Sequence, residues 1–370
     1  MDRWLLPGAM AFVESVVEAI RDGANVVVGA PANASGALAH VLEDRLADDN
    51  WRLAGPLQPS GRPPIDEICA RLEIDDERGP SGKTVASLIA RMEDKRVVVV
   101  SAVDIPQWPA WARFLGEYAN ACRSVDKFDR TQLLLVTSGV PADQLPAKAP
   151  ALQSLAWNGH IGEGDVFGYV LQHWRRNGTR IDARAKLVAR IVTRLALWDF
   201  DLVDRLLELN WQDLFEPTQV LRSVDDDRES WGGLGSTWEE GGLADFDGER
   251  MAHALVLSRN GDPKRELAMR LWAAQAAELM PTLELKRRQL ADRMRASRGL
   301  PSSLRLNDEP VLDLNDVEIG GLFHLARIHR LPPNIVQTAQ RYRDIRNKLA
   351  HLEPVSADEA LYVLTGKVGQ

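Results

Sequence analysis

The stretch Asn25-Val26-Val27-Val28-Gly29-Ala30-Pro31-Ala32-Asn33-Ala34-Ser35-Gly36-Ala37-Leu38 decides the architecture of the first half of this chain. Its first five residues, Asn25–Gly29, carry three consecutive valines without polar alternation, which predicts a short strand buried on both faces. A Gly/Pro/Ala/Ser turn follows, and the pattern from Ser35 to Leu46 predicts a helix. Arg96–Val100 and Gln132–Thr137 share the character of the first strand, and Trp51–Leu57 and Leu152–Trp157 complete a set of five. Helices are expected at 10–22, 65–72, 84–92 and 108–122. Strands alternating with helices predict a parallel sheet wrapped by helices, with ligands bound beyond the carboxyl ends of its strands.

After Gly164 the chain turns helical, with helices predicted over 166–175, 183–198 and 202–209. Residues 222–248 break the pattern with Asp225-Asp226-Asp227, Gly232-Gly233, Gly235 and Gly241-Gly242, and predict a long acidic loop. Trp231 and Trp238 within it point to an ordered loop pinned to a surface. Helices then follow over 265–294, 317–329 and 334–351, and a last one starts at Ser356, where Ser356 and Glu359 form a capping box. The fold class expected is an α/β domain followed by an all-α half, divided as 1–160, 161–221, 222–263 and 264–370.

At 370 residues the chain is too long for one ordinary core. Its 45% hydrophobic and 26% charged residues are those of a globular protein, and a net charge of −8 excludes wholesale coating of nucleic acid while allowing a local basic patch. No apolar run reaches the length of a membrane span, and Met1–Pro7 lacks the features of a signal peptide, so a cytoplasmic location and no membrane partner are expected. Cys69 and Cys122 lie in apolar helical patterns and are expected as buried free thiols. There is no C-x-x-C pair, no H-E-x-x-H and no G-x-S-x-G; His324 and His329, five apart, do not share a helix face. Neither a metal nor a cofactor is expected.

A working phosphate loop needs glycines for backbone approach, a Lys for the β- and γ-phosphates and a Ser or Thr for Mg²⁺. Aligned on Gly29, those places are held by Ala34, Ser35 and Gly36. After the strand at 97–100 an acid is needed for the metal and water; Ser101 and Ala102 stand there, and Asp104 comes too late. Thr137 and Ser138 are placed as a polar sensor. A competing candidate, Gly79-Pro80-Ser81-Gly82-Lys83-Thr84, has the end of a phosphate-loop motif, but its first glycine would fall at Glu77 and no buried strand precedes it. The layout over residues 8–210 resembles the AAA-like and STAND-type ASCE P-loop ATPases of bacterial signalling and phage defence, including a helical lid. With the lysine and the acid missing, that resemblance implies a pseudo-ATPase kept for binding or assembly. The residues by themselves also fit an α/β domain unrelated to ATPases.

Near the C-terminus, Ile335, Thr338, Tyr342, Ile345, Leu349 and Leu352 form the stripe of a packed helix. Arg341, Arg343, Arg346 and Lys348 fall off that stripe. Residues 325–352 carry six basic side chains and one acid, the footprint of a phosphate-backbone partner. Arg346-Asn347-Lys348-Leu349-Ala350-His351 resembles the Arg-polar-x-x-x-His motif of HEPN domains, helical bundles of bacterial toxins and defence ribonucleases, over residues 264–368. The chemistry fits metal-independent RNA cleavage by the 2′-hydroxyl: His351 would move protons, Arg346 would stabilise the phosphorane and Asn347 would orient them. Arg341, Arg343 and Lys348 would hold phosphate, and the resemblance implies a homodimer through the bundle. Read structurally, the same His is a helix cap and the same arginines a solvated face. The function expected is a defence or toxin-type effector with RNA as substrate and an N-terminal domain docking a larger complex. The alternative is a non-catalytic scaffold using the 222–248 loop and the basic tail as interaction surfaces.

Overall fold

The structure, a computed structural model, describes residues 3–74, 83–89, 96–127, 129–225, 231, 233–259, 263–298, 300–301, 303–306 and 309–366. The chain divides into two compact units, the first made of 1–165 with 228–256 and the second of 166–227 with 257–370. The helices at 161–221 and the C-terminal bundle thus largely belong to one unit, and the middle segment returns to the first.

Unit 1 runs α1 (Pro7–Arg21), β1 (Asn25–Gly29), α2 (Ser35–Asp48), β2 (Arg52–Leu57), α3 (Pro64–Arg71), α4 (Val85–Ile89), β3 (Arg96–Val103), α5 (Trp108–Ala121), β4 (Gln132–Thr137) and β5 (Leu152–Ala156). The five strands form a parallel sheet of order β2-β3-β4-β1-β5, the P-loop-like order in which β1 lies between β4 and β5. Alternation of side chains along each strand divides the core in two. Val27, Val98, Val100, Leu133 and Leu135 pack with Ile68, Trp111, Leu115 and Tyr118 of α3 and α5. Val26, Val28, Val97, Val99, Leu134 and Val136 pack with Phe12, Val16, Ile20, Leu38 and Leu42 of α1 and α2. Both faces are covered, so the strands carry apolar residues at consecutive positions. Cys69 and Cys122 are buried and free, as expected.

The chain leaves unit 1 along α6 (Glu163–Arg176). Unit 2 contains α7 (Ala183–Ala196), α8 (Phe200–Leu207) and α9 (Pro217–Asp225). The predicted loop at 222–248 is corrected at both ends: α9 continues to Asp225, and unit 1 gains a hairpin of β6 (Leu243–Phe246) and β7 (Glu249–Ala252). Asp247 and Gly248 join these strands with φ of +51° and +83°, the left-handed pair that a two-residue type I′ turn requires. Asp226, Asp227 and Gly232 lie outside the described residues. After α10 (Ala254–Arg259), unit 2 resumes with α11 (Pro263–Arg295), helical on both sides of Pro281. A short hairpin, β8 (Leu304–Leu306) with β9 (Glu309–Val311), precedes α12 (Ile319–Ile328), α13 (Pro333–Ala350) and α14 (Ala357–Thr365). The Ser356–Glu359 capping box is formed. Among the described residues no helix is long and apolar enough to cross a membrane.

Candidate functional site

At the β1–α2 turn, the loop that would cradle a phosphate is folded onto itself. The N–H of Ala34 donates to the Pro31 carbonyl at 3.0 Å, and the Ser35 hydroxyl donates to the Ala32 carbonyl at 3.2 Å. The N–H of Ala32 donates to the Glu239 carbonyl at 2.9 Å, and the N–H of Gly139, after β4, donates to the Ala30 carbonyl at 2.9 Å. Two of the loop's backbone donors, the N–H groups of Ala32 and Ala34, are therefore satisfied by protein oxygens.

The other nucleotide candidates are likewise engaged. Thr137 is buried and its hydroxyl donates to the Val28 carbonyl at 3.3 Å, so it faces the sheet. Asp104 accepts from the Gln107 N–H at 3.0 Å, where it starts α5. In the competing candidate, Gly79–Gly82 lies outside the described residues, while the Lys83 ammonium pairs with Asp66 at 3.2 Å. Asp66 belongs to α3, which packs beside the edge strand β2, three positions from β1 in the sheet.

The tryptophans of the middle segment are not surface platforms. Trp231 and Trp238 are each 4% exposed. Trp238 lies beneath β1: a Cβ placed on Gly29 would stand 3.6 Å from its ring. Both rings are buried anchors, which agrees with the expectation that they pin an ordered segment to a surface.

In unit 2, the motif occupies the last turn of α13. Tyr342, Ile345 and Leu349 are buried, as the stripe predicts, while Leu352 is half exposed. The helix ends in a Schellman motif. The N–H of Glu353 donates to the Lys348 carbonyl at 2.9 Å, and that of Leu352, in left-handed conformation with φ of +62°, donates to the Leu349 carbonyl. Two residues of α11 hold the backbone on either side. Trp272 Nε1 donates to the Leu349 carbonyl at 2.7 Å, and the Gln275 amide bonds both the N–H and the carbonyl of Val355, at 2.8 and 2.9 Å. Between these anchors His351 is exposed, its ring making no hydrogen bond to a described residue. Asn347, one turn earlier on the same face, is exposed too.

Arg346 faces another way. It lines a groove of about 300 Å³ with Tyr342, Glu284, Arg287, Asp316 and Glu318. Its guanidinium meets Glu318 at 3.5 Å, with side-chain exposures of 40% and 80%. Glu284 on the groove wall accepts from Arg287, which holds its carboxyl down at about 2. Arg287 in turn donates to the Val317 carbonyl at 2.7 Å, fixing the start of α12 beside Glu318. No hydrogen bond or ion pair among the described residues joins Arg346 to His351.

The residues assigned to phosphate are partly neutralised. Arg343 pairs with Asp344 at 2.6 Å and lies over the Phe323 ring, and Lys348 pairs with Glu359 at 2.6 Å. Lys348 and the Ser356 N–H together hold the Glu359 carboxyl below its ordinary range against the opposing effect of its burial. Arg341 stacks on Tyr362 at 4.9 Å and is exposed. Sequence spacing gave no sign of the pair between Lys348 and Glu359, eleven residues apart and on different helices, nor of Glu318 on Arg346.

No known protein family matches this sequence, and no curated protein resembles it closely enough to be a relative.

Proposed function

We propose that unit 2 is a HEPN-type ribonuclease module in a bacterial defence or toxin-type effector, and that unit 1 is a docking or sensing domain that hydrolyses no nucleotide. The observation that carries the reading is the end of α13: Asn347 and His351 face solvent on a turn whose flanking backbone is clamped by Trp272 and Gln275. A side chain without a partner, on a backbone that is held, is poised for work on a ligand. A helix C-terminus repels anions, so a phosphate there must be bound by side chains. Arg346 and His351 are of the right types. His351 takes the 2′-hydroxyl proton as that oxygen bonds to phosphorus, the bond from phosphorus to the 5′-oxygen breaks to leave a 2′,3′-cyclic phosphate, and the proton passes to the leaving 5′-oxygen. Arg346 stabilises the phosphorane, Asn347 orients the phosphate, and Arg341, exposed over the Tyr362 ring, adds positive charge.

Because His351 does not line the groove that holds Arg346, the reading places the active centre between two copies, each presenting its α13 end. Recruitment of Arg346 requires it to leave Glu318, and an exposed pair of this kind is worth only about 0–1 kcal/mol. The second reading, a non-catalytic subunit of a larger assembly, is favoured by the pairing of Arg343 and Lys348 with Asp344 and Glu359.

RNA cleavage by the purified chain in EDTA distinguishes them. The ribonuclease reading expects cleavage that Arg346→Ala and His351→Ala each reduce at least about 100-fold, with melting unchanged. Cleavage equal in all three proteins would refute the motif; absence of cleavage alongside a stable complex with partner proteins would support the scaffold.

A further inference from the structure

The groups around the β1–α2 turn point to an occupant that is already part of the chain. Residues 237–242 form a turn locked by its own bonds. The N–H groups of Gly241 and Gly242 donate to the carbonyls of Trp238 and Thr237, both at 2.9 Å. The Glu240 carboxylate accepts from the Thr237 N–H and hydroxyl at 3.4 and 3.2 Å. At its neck a Cβ on Gly242 would run into the Gly235 carbonyl, so the two ends of the turn touch and only glycine fits.

This preformed turn meets the vestigial phosphate loop at three points. The Glu239 carbonyl accepts from the Ala32 N–H. A Cβ on Gly241 would stand 2.6–2.7 Å from the Asn33 amide, and Gly241 has a φ of +79°. The Trp238 ring comes within 3.6 Å of a Cβ placed on Gly29, beside the Leu145 side chain at 2.6 Å, and its indole Nε1 is buried with no hydrogen-bond partner among the described residues. A buried indole N–H without a partner is costly, and it is tolerated here where the ring's apolar packing holds the turn in place.

We propose that the 237–242 turn is the resident ligand of the nucleotide crevice: the Glu239 carbonyl stands where a phosphate oxygen would accept from the loop, the Trp238 ring packs with Leu145 against Gly29, and free nucleotide is excluded. Unit 1 is then held permanently in a liganded form and cannot be switched by nucleoside triphosphate. The inference is independent of the ribonuclease reading, since it concerns unit 1 alone.

Hydrogen exchange on the full chain tests it. In the wild type, the amide of Ala32 and the peptides covering 30–38 and 236–242 exchange slowly, and millimolar Mg-ATP or Mg-GTP leaves them unchanged. Gly241→Val drives a branched side chain into Asn33 and forbids the left-handed backbone. Both peptides should then exchange at least about ten-fold faster, while 132–137 stays protected. Glu240→Ala, an exposed change that leaves the sheet core intact, frees Thr237 and should accelerate the same two peptides by a smaller factor. Protection that survives both substitutions would overturn the proposal, as would slowing of the wild-type 30–38 peptide by either nucleotide.

Discussion

At the β1–α2 turn the Ala34 N–H, the Ser35 hydroxyl and the Ala32 N–H bond inward, to the carbonyls of Pro31, Ala32 and Glu239. At the end of α13 the supports bond inward and the candidate side chains face out: Trp272 and Gln275 hold the backbone while Asn347 and His351 stay exposed. Both are helix termini, and both have the backbone geometry of a site. The difference lies in where the polar atoms are satisfied. At the first, the Ala32 N–H is taken by the Glu239 carbonyl from another segment of the same chain. The opposite arrangement, with anchors buried and side chains free, is how a fold keeps a site open and in one geometry.

The comparison is most strongly broken at its closed end. Trp238→Ala removes a buried ring from beneath Gly29 and should lower the stability of unit 1 by about 3–5 kcal/mol, read as a fall in denaturant midpoint. A loss under about 1 kcal/mol would mean the ring does not close the crevice. At the open end, Gln275→Ala leaves the N–H and carbonyl of Val355 buried without their partner and should cost about 2–3 kcal/mol. In the same variant, amides at 350–355 should exchange faster; if they do not, the clamp is not what orders the His351 turn.

Two smaller effects sharpen the picture. Leu352 takes a left-handed conformation that costs a branched L-residue about 1–2 kcal/mol, part of which glycine recovers. Leu352→Gly should therefore raise the melting temperature slightly, by about 0.5–1 kcal/mol of stability, and a decrease would show that the half-exposed Leu352 side chain contributes packing. The Glu284 carboxyl is held at about 2 against an ordinary 4.5, first by its hydrogen bond to Arg287. A depressed carboxyl pKa stabilises the fold fully above pH 4.5, and the contribution fades as the pH falls through about 2. Since Glu284 is 47% exposed, solvent screening limits the effect. Glu284→Gln should lose no more than about 1 kcal/mol at pH 7, and the difference from wild type should shrink toward zero as the pH falls to about 2. A difference that stays constant across that range would exclude the charge as its cause.

The central strands were legible because their signal is local: β1 and β4 were read to the residue from uninterrupted apolar runs that only a doubly covered sheet permits. The same holds for the capping box at Ser356 and the stripe of α13. The hairpin of β6 and β7 was missed although Asp247-Gly248 is a strong turn signal, because the acidic, glycine-rich surroundings read as loop. What the sequence could not disclose is long-range partnership. The contact of Glu239 with Ala32 joins residues about two hundred apart, and the carboxylates on Arg346 and Lys348 come from the residue preceding α12 and from α14. The residues of both candidate sites are visible in the primary structure; whether each faces inward or outward is set by segments elsewhere.

The split composition of unit 1 also orders events in time. The whole sheet is encoded by residue 165, but the segment that seals its crevice lies in 228–256, after the first helices of unit 2. At synthesis rates of about 5–20 residues per second, the sheet can be complete for roughly 5–20 s before that segment is made. During this interval the nascent chain lacks the 237–242 turn, and the Ala32 N–H lacks its Glu239 partner, which leaves that side of the β1–α2 turn uncovered. Any chaperone or assembly factor that grips this crevice would have access only to the growing chain, and release of the grip would coincide with arrival of the turn.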